Sequence, residues 1–484
     1  MLSFEVMAPL MFAGLIVFLL FGYPVAFSLS FVGLGFGFLA IYLGHFNFIL
    51  LQALPERIYG IASNQLLLSI PFFTFMGAIL ERCGLAEDLL DTMGQLFGPM
   101  RGGLAYSVIL VGALLGAVTG TVAASVIAMG LISLPVMTRY GYDPRVSTGV
   151  IAASGTITQI IPPSLVLVVL ADAMGRSVGD MYAGAFIPSF ILVALFCVWI
   201  FIVSIIWPEK VPALPKEVRT ASVSVLFVRC MVSMVPSLVL IFMVLGTILV
   251  GLATPTEGGA MGAVGALALA IMHRRLTWDL LKQGMDTTLK LTTMVMFILV
   301  GSTVFSLTFR GVDGDLWVES MLLNLPGGIV GFLVFVNVFV FFLAFFLDYF
   351  EIAFIIIPLL APVAQKMGID LIWFGVMIGV NMQTSFMHPP FGFALFYLRS
   401  VAPRESYIDR VSGIRMAPVT TGQIYWGAVP FVVIQCIAVA LVIAFPALVM
   451  HYKGEGSKID PSKIEFEIPQ PDMAPLDLGE SPRR

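Results

Sequence analysis

For most of its length this chain shows no alternation of apolar and polar positions. Apolar residues run on continuously, and short polar stretches punctuate them. The runs Leu10–Phe21, continuing past Pro24 to Tyr42, then Leu104–Val118, Phe190–Ile206, Leu238–Leu252, Met294–Val304, Val330–Leu347 and Val432–Val449 are apolar on every side of a helix. A helix that is apolar all round lies in a large core or in lipid. With their flanks these runs approach the roughly 20 residues needed to cross a bilayer. The pattern predicts about ten to twelve spanning helices plus two broken ones.

The broken ones are Ile160-Ile161-Pro162-Pro163-Ser164 and Met387-His388-Pro389-Pro390-Phe391, each inside an apolar segment. Proline removes a backbone donor and clashes with the carbonyl one turn back, so two in a row stop a helix. Backbone freed in this way is not tolerated against lipid. It is tolerated where protein buries it or where it lines a watery cavity. Paired broken segments in matching positions of two halves point to the binding site of a secondary transporter.

The order of features suggests a duplication. Gly149-Val150 leads to Pro162-Pro163 and then to Met181–Pro188, and Gly375-Val376 leads to Pro389-Pro390 and then to Ile424–Pro430. Pro71–Glu81 and Phe341–Asp348 are a further expected pair. The first repeat is placed at about residues 45–207 and the second at about 235–450, within one membrane domain of residues 1–450. Trp207–Arg219 reads as the linker between them. From His451 to Arg484 the chain is polar and proline-containing, a tail expected to be disordered. The basic loop at His273-Arg274-Arg275 points to the cytoplasm, but Arg399, Arg404, Arg410 and Arg415 form a second basic cluster, so the orientation stays open.

Composition agrees with the pattern and excludes other classes. Of the 484 residues, 59% are hydrophobic and 11% charged, against about 25% charged in a soluble domain. The net charge of −4 offers no basic surface for nucleic acid. The four cysteines and four histidines have no metal-ligand spacing. There is no Gly-Lys-Ser/Thr phosphate loop, so ATP-driven transport by this chain is not expected. Nothing indicates an enzyme.

The candidate chemistry therefore lies in polar residues within apolar runs. Ser154, Thr156, Thr158 and Gln159 precede the first break, and Ser164 follows it. Hydroxyls and freed carbonyls suit a hard cation such as sodium, although Ser and Thr also glue membrane helices together. Asn381, Gln383, Thr384, Ser385 and His388 precede the second break, where His388 either bonds substrate, relays a proton or only hydrogen-bonds locally. Gly116–Ser125, with Thr119 and Thr121, reads either as an ion-facing stretch or as a close helix contact, and Thr254-Pro255-Thr256-Glu257 is its expected counterpart. Glu257 is a functional candidate at the mouth of a span, or a first-turn residue behind a Thr256 cap. Asp348 and Glu351 face a cavity or form an interfacial turn. Asp172 and Arg176 are expected to pair at the surface.

The ordered set Pro71-Phe72-Phe73, Thr119-Gly120-Thr121, Ile161-Pro162-Pro163-Ser164, Thr254-Pro255-Thr256-Glu257, Asp348, Pro389-Pro390-Phe391-Gly392 and Tyr425-Trp426-Gly427 resembles the large membrane subunit of tripartite ATP-independent periplasmic (TRAP) transporters, over about residues 5–450. The resemblance implies an all-α, multi-pass protein of the bacterial inner membrane. It implies two inverted repeats, each with a re-entrant Pro-Pro helical hairpin, and an elevator-type movement. It implies sodium-driven import of organic acids, with sodium as coupling ion and no other cofactor. The implied partners are a small four-helix membrane subunit and a periplasmic substrate-binding protein. By motif, ion ligands would come from Thr119, Thr121, Thr158, Ile161 and Pro162, and from Ser385, His388, Pro389 and Phe391. Substrate would lie near Ser164, Asn381, Thr384, Glu257 and Asp348. Thr158 and His388 depart from residues common in the family, which puts the exact ligand set in question. A stand-alone sodium/di- or tricarboxylate symporter is the alternative reading.

Overall fold

The computed structural model describes residues 4–119, 121–216, 222–409 and 411–453, without the side chains of Leu85, Ala86, Val118, Thr119 and Val223. The tail beyond Lys453 and Arg410 lie outside the described residues.

In the first half the helices are α1 Phe4–Leu20, α2 Val25–Tyr42, α3 Ile49–Gln52, α4 Leu54–Ala62, α5 Ser69–Arg82, α6 Leu85–Phe97, α7 Gly103–Thr119, α8 Val122–Arg139, α9 Pro144–Thr156, α10 Leu165–Ala173 and α11 Val178–Ile206. In the second they are α12 Val223–Leu249, α13 Pro255–Met272, α14 Trp278–Gly311, α15 Gly314–Leu323, α16 Gly328–Leu343, α17 Tyr349–Glu351, α18 Ile357–Lys366, α19 Leu371–Met387, α20 Phe393–Val401, α21 Thr421–Ala444 and α22 Ala447–Met450. A small ribbon, β1 Tyr407–Ile408 with β2 Arg415–Met416, lies between α20 and α21. Among the described residues, eight helical segments, with Tyr349–Lys366 taken as one, are long and apolar enough to cross a membrane alone.

Hydrogen bonds fix where each helix begins and ends. On one face, the Leu104 N–H donates to the Tyr142 hydroxyl (3.2 Å), Gly102 N–H to the Val211 carbonyl and Asp143 N–H to the Lys210 carbonyl (both 2.9 Å). The start of α7, the end of α8, the start of α9 and the end of α11 therefore share this first face. On the opposite face, Lys453 pairs with Asp370 at 2.8 Å, and Trp373 Nε1 donates to the Val442 carbonyl at 2.9 Å. Arg176 and Asp180 line one depression there with Asp370 and Lys453. The end of α10, the start of α11, the start of α19 and the end of α21 share this second face. The 29 residues of α11 run between the faces, a rise of about 43 Å.

This tracing corrects one expectation. The Pro-Pro pairs are not the turns of re-entrant hairpins. The α9–α10 segment enters at the first face and leaves at the second, so it is a through-going span broken midway. The α19–α20 segment does the same in reverse. α9 ends in the 3-10 turn Ile157–Gln159, a bent link through Pro162 and Pro163 follows, and the helix resumes after Ser164 toward the far side. The hairpins are the elements just before each broken span. α7 enters from the first face and ends at Thr119, and α8 opens after Thr121 and returns to that face. α16 runs beside α19 from the second face, and α17 to α18 return there, with the turn at residues 344–348.

The two halves are thus inverted with respect to the membrane. Corresponding caps mark the duplication: Asp143 caps α9 by accepting from Arg145 N (2.7 Å), and Asp370 caps α19 by accepting from Ile372 N (2.8 Å). The correspondence reaches back to α2 and α13, each of 18 residues and each opening on a proline. α2 packs on α14 and α13 packs on α5, so each half's second helix covers a helix of the other half. By this order α5 answers to α14, so Pro71–Glu81 and Phe341–Asp348 are not counterparts. Nor does Thr254–Glu257 answer to the turn at 119–121. Its place in the order is the start of α2.

The described residues of both basic clusters fall on the first face. Arg139 makes a bidentate pair with Asp409, both bonds 2.8 Å, and Arg275 at the end of α13 pairs with Asp88 at 2.9 Å. By the positive-inside rule this face is cytoplasmic, so α7 and α8 enter from the cytoplasm.

Candidate functional site

Glycines let the first hairpin grip its broken span. A side chain at Gly112 would meet Ser154 at 2.6 Å, one at Gly116 would meet Thr158 Cα at 2.9 Å, and one at Gly155 would meet Val126 at 2.2 Å. Small residues permit such backbone approach in membranes. Thr158 is fully buried, and its hydroxyl donates to the Gly155 carbonyl at 2.9 Å. Polar side chains take up backbone groups at the break. Ser164 Oγ donates to the Gln159 carbonyl (2.5 Å) and accepts from Val166 N (3.1 Å), and Ser189 Oγ donates to the Ile160 carbonyl (2.9 Å). Ile161 and Pro162 line an apolar cleft of about 510 Å³ between α7, α11 and α12.

The second hairpin meets its break through side chains. Ser385 Oγ donates to the Phe341 carbonyl at 3.2 Å. Phe345 stacks on His388 at 4.9 Å and on Phe391 at 5.3 Å. The His388 carbonyl accepts from Gly392 N (2.7 Å), while its buried Nδ1 has no hydrogen-bond partner. In place of a hydrogen bond, the imidazole is wedged in aromatic rings. The turn that follows is one device: Asp348 accepts from Glu351 N (3.0 Å) and Glu351 accepts from Asp348 N (2.9 Å), a capping box. Behind it Ile352–Ile356 form a π-helical segment, whose Phe354 carbonyl accepts from Ser302 Oγ of α14 at 2.6 Å. π segments of this kind are frequent at functional sites.

The two turns share a cavity of about 340 Å³. Thr121 comes from the first turn, Asp348, Tyr349 and Glu351 from the second, and Phe386, Phe393 and Tyr397 from the second broken span. Of the expected site residues, this cavity joins Thr121 and Asp348. Among the described residues it does not take in the others. Asn381 donates to the Asn337 carbonyl (2.8 Å) and Thr384 to the Asn381 carbonyl (2.6 Å), both buried between α16 and α19. Glu257 lies outside the cavity in an exposed capping box whose cap is Thr254, not Thr256; Thr256 Oγ1 instead donates to the Gln65 carbonyl. Asp172 accepts from Asn64 Nδ2 at 3.0 Å, and no ion pair joins it to Arg176 among the described residues. The side chain of Thr119 lies outside those residues.

The sequence matches the family model for the tripartite ATP-independent periplasmic transporter, DctM component, over residues 12–448. The chain belongs to this family. It is 30% identical over 355 residues to the C4-dicarboxylate TRAP transporter large permease protein DctM of Pseudomonas aeruginosa, covering 72% of this chain and 81% of that one. It is 27% identical to the sialic acid TRAP transporter large permease protein SiaM of Vibrio cholerae, covering 88% and 93%. The fold is similar to that of the Alcanivorax borkumensis YdaH transporter, described as having an unusual topology, with a TM-score of 0.51, 13% identity and coverage of 82% and 88%. The protein is a multi-pass TRAP large permease of the bacterial inner membrane.

Against this family background, the cavity adds Tyr349 and Tyr397, which the sequence did not single out, and takes in Glu351, which was read with Asp348 as facing a cavity or forming an interfacial turn. Glu351, Tyr349 and Tyr397 look like interfacial punctuation in a hydropathy pattern. The usable signal was Asp348-x-x-Glu351, a capping-box spacing between two apolar runs with an acid at both ends. Gln159 and Gln383, named among the polar residues before the two breaks, are fully buried with neither amide atom hydrogen-bonded. A glutamine beside a serine-rich run reads as helix glue until its burial is known.

Proposed function

We propose that this chain is the translocating subunit of a sodium-coupled importer of organic acids, working with a small membrane subunit and a periplasmic substrate-binding protein. The reading rests on one relationship above all. A hairpin enters from each face, each packs on the broken span of its own half, and their turns line one cavity. A site built from two inverted halves can be offered to either side by moving one part of the protein against another. Relatives named for C4-dicarboxylate, 2,3-diketo-L-gulonate, isethionate and sialic acid transport handle organic acids, which supports that substrate class. Broken helix ends supply carbonyls to a hard cation and positive dipole ends to an anion.

The test is uptake in proteoliposomes holding this chain and its small subunit. Labelled organic acids are supplied with and without the cognate binding protein, under a sodium gradient or none. Uptake requiring both sodium and the binding protein is the expected outcome. Uptake by this chain alone would replace the reading with a stand-alone symporter.

A further inference from the structure

The loop between α20 and α21 takes no part in the breaks or in the cavity, yet it is firmly built. At its base Val419 N–H donates to the Pro403 carbonyl at 2.9 Å, and Arg399 donates to the carbonyls of Val419 and Ala402. Asp409 shapes its turn. The carboxylate accepts from Ser412 N (2.8 Å) and Ser412 Oγ (2.7 Å), and Asp409 N–H donates to the Ile414 carbonyl at 3.0 Å. The bidentate bonds from Arg139 then fasten the turn to the end of α8. A two-stranded ribbon is marginal alone in water, and these bonds hold β1 and β2 in place.

What the ribbon presents outward is apolar. Ile408 is 69% exposed, Val411 74% and Ile414 61%, whereas Tyr407 and Met416 are half-buried. Ile408 pairs directly with Arg415 across the ribbon, and residues opposite one another share a face. Among the described residues of the loop the exposed charges are Arg404, Arg415 and Glu405, a positive excess, while Asp409 is already paired with Arg139. Exposed apolar side chains on a fixed turn, set among arginines, call for an amphiphilic cover. The bilayer surface is that cover. α21 starts at Thr421 on the same face, and Trp426, five residues on, is 67% exposed. Tryptophan there marks the head-group belt, so the loop joins α21 within about 8 Å of that belt. Lys453, the last described residue, lies on the opposite face, so the chain that follows it starts across the bilayer from the ribbon.

We propose that the β1–β2 ribbon is an anchor for anionic phospholipid of the cytoplasmic leaflet. Ile408, Val411 and Ile414 enter the head-group boundary, and Arg404 and Arg415 hold lipid phosphates. That leaflet carries a negative surface potential that attracts basic segments, and the guanidinium fork matches phosphate oxygens. Because Asp409 is bonded to Arg139, whatever holds the ribbon also holds the base of the first hairpin at the membrane surface. The inference rests on the orientation given by the basic residues, and on neither the transported substrate nor its coupling ion.

The test places the full-length chain in nanodiscs of phosphatidylcholine, with or without phosphatidylglycerol. Nanodiscs offer both leaflets, so the result does not depend on which face is cytoplasmic. With Cys197 and Cys436 changed to Ser, Val411→Cys carries an environment-sensitive fluorophore. Its emission should shift to the blue when phosphatidylglycerol is present, and lipids with a nitroxide near the head group should quench it. Arg404→Gln with Arg415→Gln should remove most of that shift. Should this double variant not fold, Ile408→Ser with Ile414→Ser removes the apolar half of the contact and should abolish the shift. The same label at Gln365→Cys, exposed on the opposite face, should read as water in both discs. Water-like emission from position 411 in both lipids overturns the anchor. An equal shift in both lipids, or one that survives loss of the arginines, overturns the recognition of anionic lipid. A shift that appears only when the small membrane subunit is added would make a protein the occupant and overturn the inference.

Discussion

Ser385 on α19 donates its hydroxyl to the main-chain carbonyl of Phe341 on α16, at 3.2 Å, and so joins the second broken span to the arm of the second hairpin. That carbonyl lies near the end of its helix, where intrahelical partners run out. The bond sits beside the rings of Phe345 and His388, so it sets how the turn meets the break. Ser385→Ala leaves a half-buried acceptor without its donor, at a cost of about 1 kcal/mol. A small drop in Tm with a much larger fall in uptake is expected. A fall in Tm with normal uptake would make the bond purely structural.

Gly116 is the corresponding contact in the first half. Its would-be Cβ lies 2.9 Å from Thr158 Cα, a backbone atom that cannot swing aside. Gly116→Ala should push the first hairpin off its broken span, at about 1–3 kcal/mol. Gly35 in α2 is a control, because nothing lies within 4 Å of its Cβ position. Gly35→Ala should keep full uptake, and Gly116→Ala should lose most of it while still inserting. Equal activities would show that the close approach does not matter for transport.

The breaks themselves are expected to be indispensable. Replacing Pro162 and Pro163 together by Ala restores two backbone donors and favours continuation of α9 through the break. The same holds for Pro389 and Pro390. Either double variant should insert normally and abolish uptake. Normal uptake would mean that the irregular backbone at the break is not part of the site.

Arg139 and Asp409 fasten the base of the first hairpin to the loop after α20. Hydrogen bonds from Arg139 and Ser412 hold the Asp409 carboxyl well below the usual carboxylate range. A carboxyl depressed in the folded state contributes stability above its ordinary value of about 4 and loses it as pH falls further. Asp409→Asn should therefore lower Tm at pH 7, and the gap to wild type should narrow only below about pH 4. A gap that instead closed between pH 8 and 6 would point to a different titrating group.

Much of this could be read from the residues. The membrane class and both breaks were legible because lipid and proline impose simple rules on the backbone. Direction was not. Hydropathy is blind to whether a chain resumes or turns back after Pro163, and only bonds such as Leu104 to Tyr142 settle it. The turns at 119–121 and 344–348 carry no proline, so they drew less notice than the breaks. Asp143 and Asp370, each set at the same distance ahead of its Pro-Pro pair, were a sign of duplication visible in the sequence and missed. The cavity was half legible. Asp348 and Thr121 were named, but their meeting depends on two halves folding against each other.

Orientation carries the last expected outcome. Read by sequence, the basic stretches at 273–275 and 399–415 gave a mixed signal, because the number of intervening spans was not fixed. The fold brings the described residues of both to the face that holds Arg139 and Lys210, while the opposite face has Arg176 and the paired Lys366 and Lys453. The positive-inside rule then puts Val411 in the cytoplasm and Gln365 in the periplasm. Both are exposed. With Cys197 and Cys436 changed to Ser, single cysteines at these two positions report the sidedness. A membrane-impermeant maleimide added to intact cells should label Gln365→Cys at once and Val411→Cys only after the inner membrane is opened. The reverse pattern would turn the molecule over. The first hairpin would then open to the periplasm and the second to the cytoplasm.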